Sequence, residues 1–184
     1  GVTLLTIIVI VFLFLQFSPQ LGGAVPKAKQ ASFAKTGHFG EGIFANKEPL
    51  HFEINCHSIE KMVSGMANPD PNLIPQHDLE VIKVTAKEIM DHSDTAIQVI
   101  WFGHSTFLLK VDGNLILLDP VFSDYAAPHP VLGRKRFNSQ MPIDIEDLPE
   151  IDMVLISHDH YDHLDYESIV KLKDKTKKFL VPLG

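Results

Sequence analysis

Ile151-Asp152-Met153-Val154-Leu155-Ile156-Ser157-His158-Asp159-His160-Tyr161-Asp162-His163 joins an apolar run to three imidazoles and two carboxylates packed into six residues. The run, broken only by Asp152, has the length and composition of a strand buried on both faces. Downstream, Asp165 stands where a helix N-cap belongs, Tyr166, Ile169 and Val170 share one helical face, and Lys171, Lys173 and Lys175 follow near the C-terminus, where they suit the helix dipole. Strand, polar loop and helix in this order put the cluster at the carboxyl end of a strand, where open α/β sheets bind ligands.

Imidazole nitrogen and carboxylate oxygen are ligands of zinc, manganese and iron. Alternate residues of an extended loop share a side, so His158 and His160 are expected to grip one ion, with Asp162 and His163, after a turn, facing a second. Two divalent ions sharing a water lower its pKa and clamp the attacking and leaving oxygens of a hydrolysis. A histidine-rich loop can also be plain solvated surface. Its position directly after a buried strand favours the metal reading, and with it a hydrolase.

Upstream, Ile97, Val99 and Trp101, then Phe107, Leu109 and Val111, show period-two spacing on either side of Gly103-His104-Ser105. The second of these strands turns at Asp112-Gly113, a hairpin dipeptide, into Leu115 to Leu118. Asp119 therefore ends a buried strand, and a buried carboxylate needs a partner. A nearby ligand imidazole provides one while fixing its own tautomer. His104 is expected near the same site, either supporting it or packed as a hydrogen-bonded histidine at a strand turn.

These segments together resemble the metallo-β-lactamase-fold hydrolases, whose signature is H-x-H-x-D-H after an apolar strand. Ile156-Ser157-His158-Asp159-His160-Tyr161-Asp162-His163-Leu164-Asp165, with Trp101-Phe102-Gly103-His104-Ser105-Thr106, Leu118-Asp119-Pro120-Val121-Phe122 and Arg134-Lys135-Arg136-Phe137 upstream, is similar to the N-acylphosphatidylethanolamine phospholipase D branch. The resemblance runs from about Gln98 to Gly184. It implies an α/β (α+β) fold, the N-terminal half of an αββα sandwich, holding two zinc ions or other divalent metals. His158 and His160 go to the first ion and Asp162 and His163 to the second. Asp162 also orients the water as the catalytic residue, and Asp119 supports a ligand. The family's remaining ligands come from later segments, so the chain is expected to carry only the first half of the domain. A short protein that completes its core by pairing two copies is the alternative.

Val2 to Phe17 is apolar except for Thr3, Thr6 and Gln16. It exceeds the typical signal-peptide core of about 7 to 15 residues and approaches the roughly 17 to 25 of a bilayer-spanning helix. A retained membrane-anchoring helix over residues 1–18 is the expectation, with export after cleavage near Gly22-Gly23-Ala24 as the alternative. Residues 19–96 read as linker and extension, with a strand over Leu79 to Val84 and a short helix over Thr85 to Met90. The hydrolase core occupies 97–184.

A net charge of -7 disfavours an electrostatic grip on nucleic acid. Arg134, Lys135 and Arg136 form a local basic patch, either solvated surface or a contact for an anionic head group. Cys56 is the single cysteine, so no internal disulfide forms. The expected activity is phosphodiester hydrolysis on a membrane lipid. A lactonase or other esterase of the same fold, and a non-catalytic membrane-anchored domain, are the alternatives.

Overall fold

A run of mostly apolar side chains with no Gly or Pro folds Val2–Phe17 into helix α1 in the computed structural model. The structure describes residues 2–22, 25–46, 48, 55–68, 70–91, 93, 96–130, 133 and 135–183. Helix α1 ends at Ser18, whose neighbour Pro19 opens a 3-10 turn, Pro19–Leu21. No helix among the described residues is long and apolar enough to cross a membrane. The 16 residues of α1 reach about 24 Å at ~1.5 Å per residue, short of a hydrocarbon core of about 30 Å. The expected bilayer-spanning anchor is not supported by this helix as it stands.

Residues 25–79 group as a unit of their own. Within it lie α2 (Lys27–Phe33), strands β1 (Phe39–Gly40) and β2 (Ile43–Phe44), and α3 (Cys56–Ala67). Phe33, Phe39 and Phe44 form a small ring cluster, with centroids 4.9 to 5.5 Å apart. Asn55 and Ser58 cap α3 reciprocally, the Asn55 side chain accepting from Ser58 N at 3.0 Å and Ser58 Oγ from Asn55 N at 2.9 Å.

The strand expected over Leu79–Val84 does not form. Val84 N bonds to Pro142 O at 2.9 Å, but Ile82 is 80% exposed, and apolar alternation without a partner strand builds no ladder. The expected helix follows as α4 (Ala86–Asp91), where Thr85 and Glu88 exchange capping bonds, Thr85 N to Glu88 Oε2 at 2.7 Å and Glu88 N to Thr85 Oγ1 at 3.2 Å. Ile89 drives α4 into the core, and the buried Lys110 ammonium donates to Met90 O at its C-terminal end.

A five-stranded sheet follows, ordered β3 (Gln98–Gly103), β4 (Thr106–Val111), β5 (Asn114–Leu118), β6 (Met153–Leu155) and β7 (Phe179–Leu180). Strands β3, β4 and β5 form an antiparallel meander. The β4–β5 turn places Asp112 at φ 48° and Gly113 at φ 77°, as a two-residue I′ hairpin requires. The β5–β6 and β6–β7 pairs are parallel, and α5 (Tyr166–Leu172) carries the chain between β6 and β7.

One core cluster joins Ile100, Phe102, Leu108, Leu115, Leu117, Val154 and Ile156 of the sheet and its strand ends to Ile89 of α4 and Leu172 of α5. The long β5–β6 connection lies against the same core through Met141, Ile143, Ile145 and Leu148. Val99 and Trp101 are instead more than half exposed, so the period-two set on β3 occupies the opposite face from the buried one. The result is a mixed α/β fold whose strand ends at 103–106, 119 and 156 lie side by side.

Candidate metal centre

Asp119 is the fixed point of the site. It leaves β5 at φ 40°, its N–H still on the ladder to Leu155 O at 2.9 Å, and its carbonyl accepts from buried Thr106 Oγ1 at 2.7 Å. The carboxylate crosses to the end of β6, where Oδ1 accepts from Ser157 N at 2.7 Å and Oδ2 from Ser157 Oγ at 2.7 Å and His163 Nδ1 at 2.8 Å. Burial pushes the Asp119 pKa up, but the hydrogen bonds from His163 and Ser157 outweigh it and hold it below the usual carboxylate value.

That ionised carboxylate sets the histidine tautomers. Because it only accepts, His163 donates from Nδ1 and presents the lone pair of Nε2. Ser157 gives its one proton to the same carboxylate, so its oxygen accepts from His158 Nδ1 at 2.9 Å, and His158 likewise presents Nε2. The rings of His158 and His163 lie 4.0 Å apart, and those of His158 and His160 4.7 Å.

The opposite wall is the two-residue turn between β3 and β4. His104 Nε2 lies 3.0 Å from Asp162 Oδ2, and His163 Nε2 lies 3.8 Å from the same oxygen. Ser105 Oγ donates to Asp162 O at 3.3 Å and sits 3.1 Å from His163 Nδ1. One ligand atom from each of His104, Asp162 and His163 falls within 4.8 Å of the others. Ligand atoms on a tetrahedral zinc lie about 3.3 Å apart, from bonds of ~2.0–2.1 Å. The separations of 3.0 and 3.8 Å bracket that value, and the mixed nitrogen and oxygen donors suit zinc, iron or manganese.

Of the expected ligands, Asp162 and His163 fall in this donor cluster, with Asp119 behind His163, while His158 and His160 lie beside it in the same loop as ring neighbours. His104, expected as a supporting residue, falls within the cluster. Asp165 stands at the N-cap of α5, but its carboxylate accepts from Ser123 N at 3.0 Å and from Ser168 Oγ instead of capping the backbone. Of the basic run, Arg134 lies outside the described residues. Lys135 is exposed, 3.9 Å from Asp124. Arg136 spends its guanidinium on the carbonyls of Val121 and Ser123, both at 2.9 Å, so it clasps the loop rather than facing a ligand.

Ser105, Ser157 and Trp101 carry roles in the site that the sequence did not assign to them. The serines sit beside histidines in the quoted motifs, and that adjacency was the available signal. Trp101 Nε1 donates to His104 O at 3.0 Å, a link that depends on strand register.

Comparison with known proteins adds a family. Residues 98–179 match the profile described as Beta-lactamase superfamily domain. That stretch belongs to the beta-lactamase superfamily. An uncharacterized Mycobacterium tuberculosis protein is 34% identical over 173 residues, 91% of this chain and 44% of the relative. A Caenorhabditis elegans protein named N-acyl-phosphatidylethanolamine-hydrolyzing phospholipase D 1 is 35% identical over 118 residues, 63% of this chain and 32% of that one. An Anaeromyxobacter metal-dependent hydrolase is 37% identical over 68 residues, 36% of this chain and 20% of the relative. The chain spans 44% of the length of the mycobacterial relative. Every ligand candidate lies inside the superfamily stretch.

Proposed function

We propose that this chain belongs to a metal-dependent hydrolase, zinc-loaded in the cell, that cleaves a phosphodiester in a membrane phospholipid. The observation that carries this reading is the convergence of His104, Asp162 and His163, with His158 and His160 alongside, at neighbouring strand ends within the superfamily stretch. The names of the nematode and Anaeromyxobacter relatives support the phospholipid and the metal dependence.

A divalent ion held by these residues would supply Lewis-acid chemistry, the polarising of a phosphoryl oxygen and the acidifying of water. The chain's own part is to hold the ligands still. Asp119 keeps His163 in one tautomer, Ser157 does the same for His158, and the Asp162 carboxylate would orient an attacking water and take up its proton. Among the described residues of the basic run, Lys135, exposed and 3.9 Å from Asp124, is the cation that would meet an anionic head group.

A lipid surface as partner is supported by two further features. Helix α1 exposes large apolar side chains along its length, and the first forty residues carry three lysines and no carboxylate. The Pro19–Leu21 turn that follows α1 reaches the ligand loop, where the Tyr161 hydroxyl donates to Gln20 O.

The test offers the zinc-loaded protein N-acylphosphatidylethanolamine in mixed micelles and, separately, a neutral lactone. Release of phosphatidic acid that stops on chelation and returns with zinc is the expected result. Turnover of the lactone alone would discard the phospholipid assignment.

A further inference from the structure

We infer that Trp101 is a positioning residue for the metal centre: its indole N–H locks the β3–β4 turn in the conformation that carries His104 to Asp162. The inference rests on the metal-centre reading above and assigns a role outside its ligand loop.

Between the paired residues Gly103 and Thr106 only His104 and Ser105 make the turn, and the register shifts between Trp101 and Gly103. Such an irregularity re-aims the side chains that follow it. His104 is held at φ 46°, a left-handed conformation that an L-residue with a bulky side chain adopts only at a cost. Something must offset that cost. The bond from Trp101 Nε1 to His104 O, at 3.0 Å, joins the strained residue to the strand before it.

Burial does not explain this tryptophan, because it is 57% exposed. Its ring is set instead by cross-strand pairing with Phe107, the two rings 6.4 Å apart and 22° from parallel. The indole N–H is its single polar group. The same turn delivers both side chains that meet the Asp162–His163 pair, His104 Nε2 to the carboxylate and Ser105 Oγ to the backbone of Asp162 and the ring of His163. A turn free to relax would withdraw both.

Trp101→Phe keeps the stacked ring and removes only the N–H. Zinc affinity is read by competition with a chromophoric chelator, with melting temperature and the His104 imidazole NMR shifts recorded alongside. The expected result is a loss of zinc affinity of about 3- to 10-fold, the worth of one hydrogen bond, with displaced His104 shifts and a melting temperature near the parent's. His104→Ala should lose at least as much. The double variant should lose less than the two single losses multiplied together, because most of the effect of Trp101 runs through His104. Parent-like affinity in Trp101→Phe, additive losses in the double variant, or a fall in melting temperature that accounts for the lost affinity would each overturn the inference while leaving the metal reading intact. A parent that binds no divalent ion sinks both.

Discussion

The turn at 103–106 and the loop at 156–164 meet at His163, and they are stiffened by different means. The turn is two residues long and closed by antiparallel pairing, so its precision comes from backbone geometry: His104 at φ 46°, with one indole bond holding it. The loop leaves a parallel strand and must travel to a helix, so it has no hairpin to close it. Its precision comes from a side chain on the neighbouring strand end, Asp119, which holds Ser157 at the beginning of the loop and His163 near its end. Backbone strain fixes one residue at a time, whereas a carboxylate accepting several bonds fixes a whole segment. The loop is therefore expected to be the more sensitive of the two.

The largest effect should come from the residue where the two walls meet. His163→Ala removes a ligand candidate and leaves the buried Asp119 carboxylate short of one donor. Hydrolysis is expected to fall by more than about 100-fold, beyond the range for the partners of a metal ligand, with zinc content reduced in elemental analysis. Unchanged zinc content and rate would place the centre elsewhere.

Asp119→Asn comes next. The amide can still accept one bond, but it presents N–H groups where Ser157 and His163 donate, so the loop loses its anchor and His163 its fixed tautomer. Zinc affinity should drop by about 10- to 100-fold, and denaturant titration should show a loss of about 1–3 kcal/mol from the buried groups left unpaired. An equal loss of affinity from Ser105→Ala would erase the contrast between loop and turn. The expectation for Ser105→Ala is about 0.5–1.5 kcal/mol, one hydrogen bond's worth, read as at most a modest change in zinc affinity.

The same contrast decides what could be read in the sequence. The loop was legible as a candidate site because its donor types are contiguous and follow an apolar run, and Asp119 as its neighbour because it closes another such run. The role of His104 was not, since its approach to Asp162 depends on the register shift at Trp101. Apolar residues occupy both alternating sets of β3, so spacing alone could not say that Ile100 and Phe102 face the core while Val99 and Trp101 do not. Leu79 to Val84 shows alternation too, but ladder formation depends on a partner that no local pattern reveals. Arg136 reads as surface charge until the loop folds it back onto carbonyls 13 and 15 residues upstream.

The smallest expected effect lies at the opposite end of β5 from Asp119, and it tests whether anchoring by a carboxylate depends on placement. Asp152, just before β6, accepts from Lys177 Nζ at 2.7 Å and from Leu115 N at 2.8 Å, tying the start of β5 to the segment before β7. The Lys177 ammonium and then the Leu115 N–H hold the Asp152 pKa below its ordinary value, and Asp152 raises that of Lys177. A depressed carboxylate pKa adds stability that is present above the unfolded value of ~3.9 and is lost as pH falls through the folded one. The raised lysine adds stability that is present below its unfolded value of ~10.4 and lost as pH rises through the folded one. The pair therefore works across neutral pH and fades at both extremes. Asp152→Asn keeps an acceptor for Leu115 while removing the charge, so its melting temperature should lie slightly below the parent's near neutrality, and the gap should close as pH drops from about 6 to about 2. Solvent screens this exposed pair, which keeps the gap small and makes it shrink further in high salt. A gap that persisted at the acid end would mean that Asp152 acts through its shape and its bond to Leu115, not its charge.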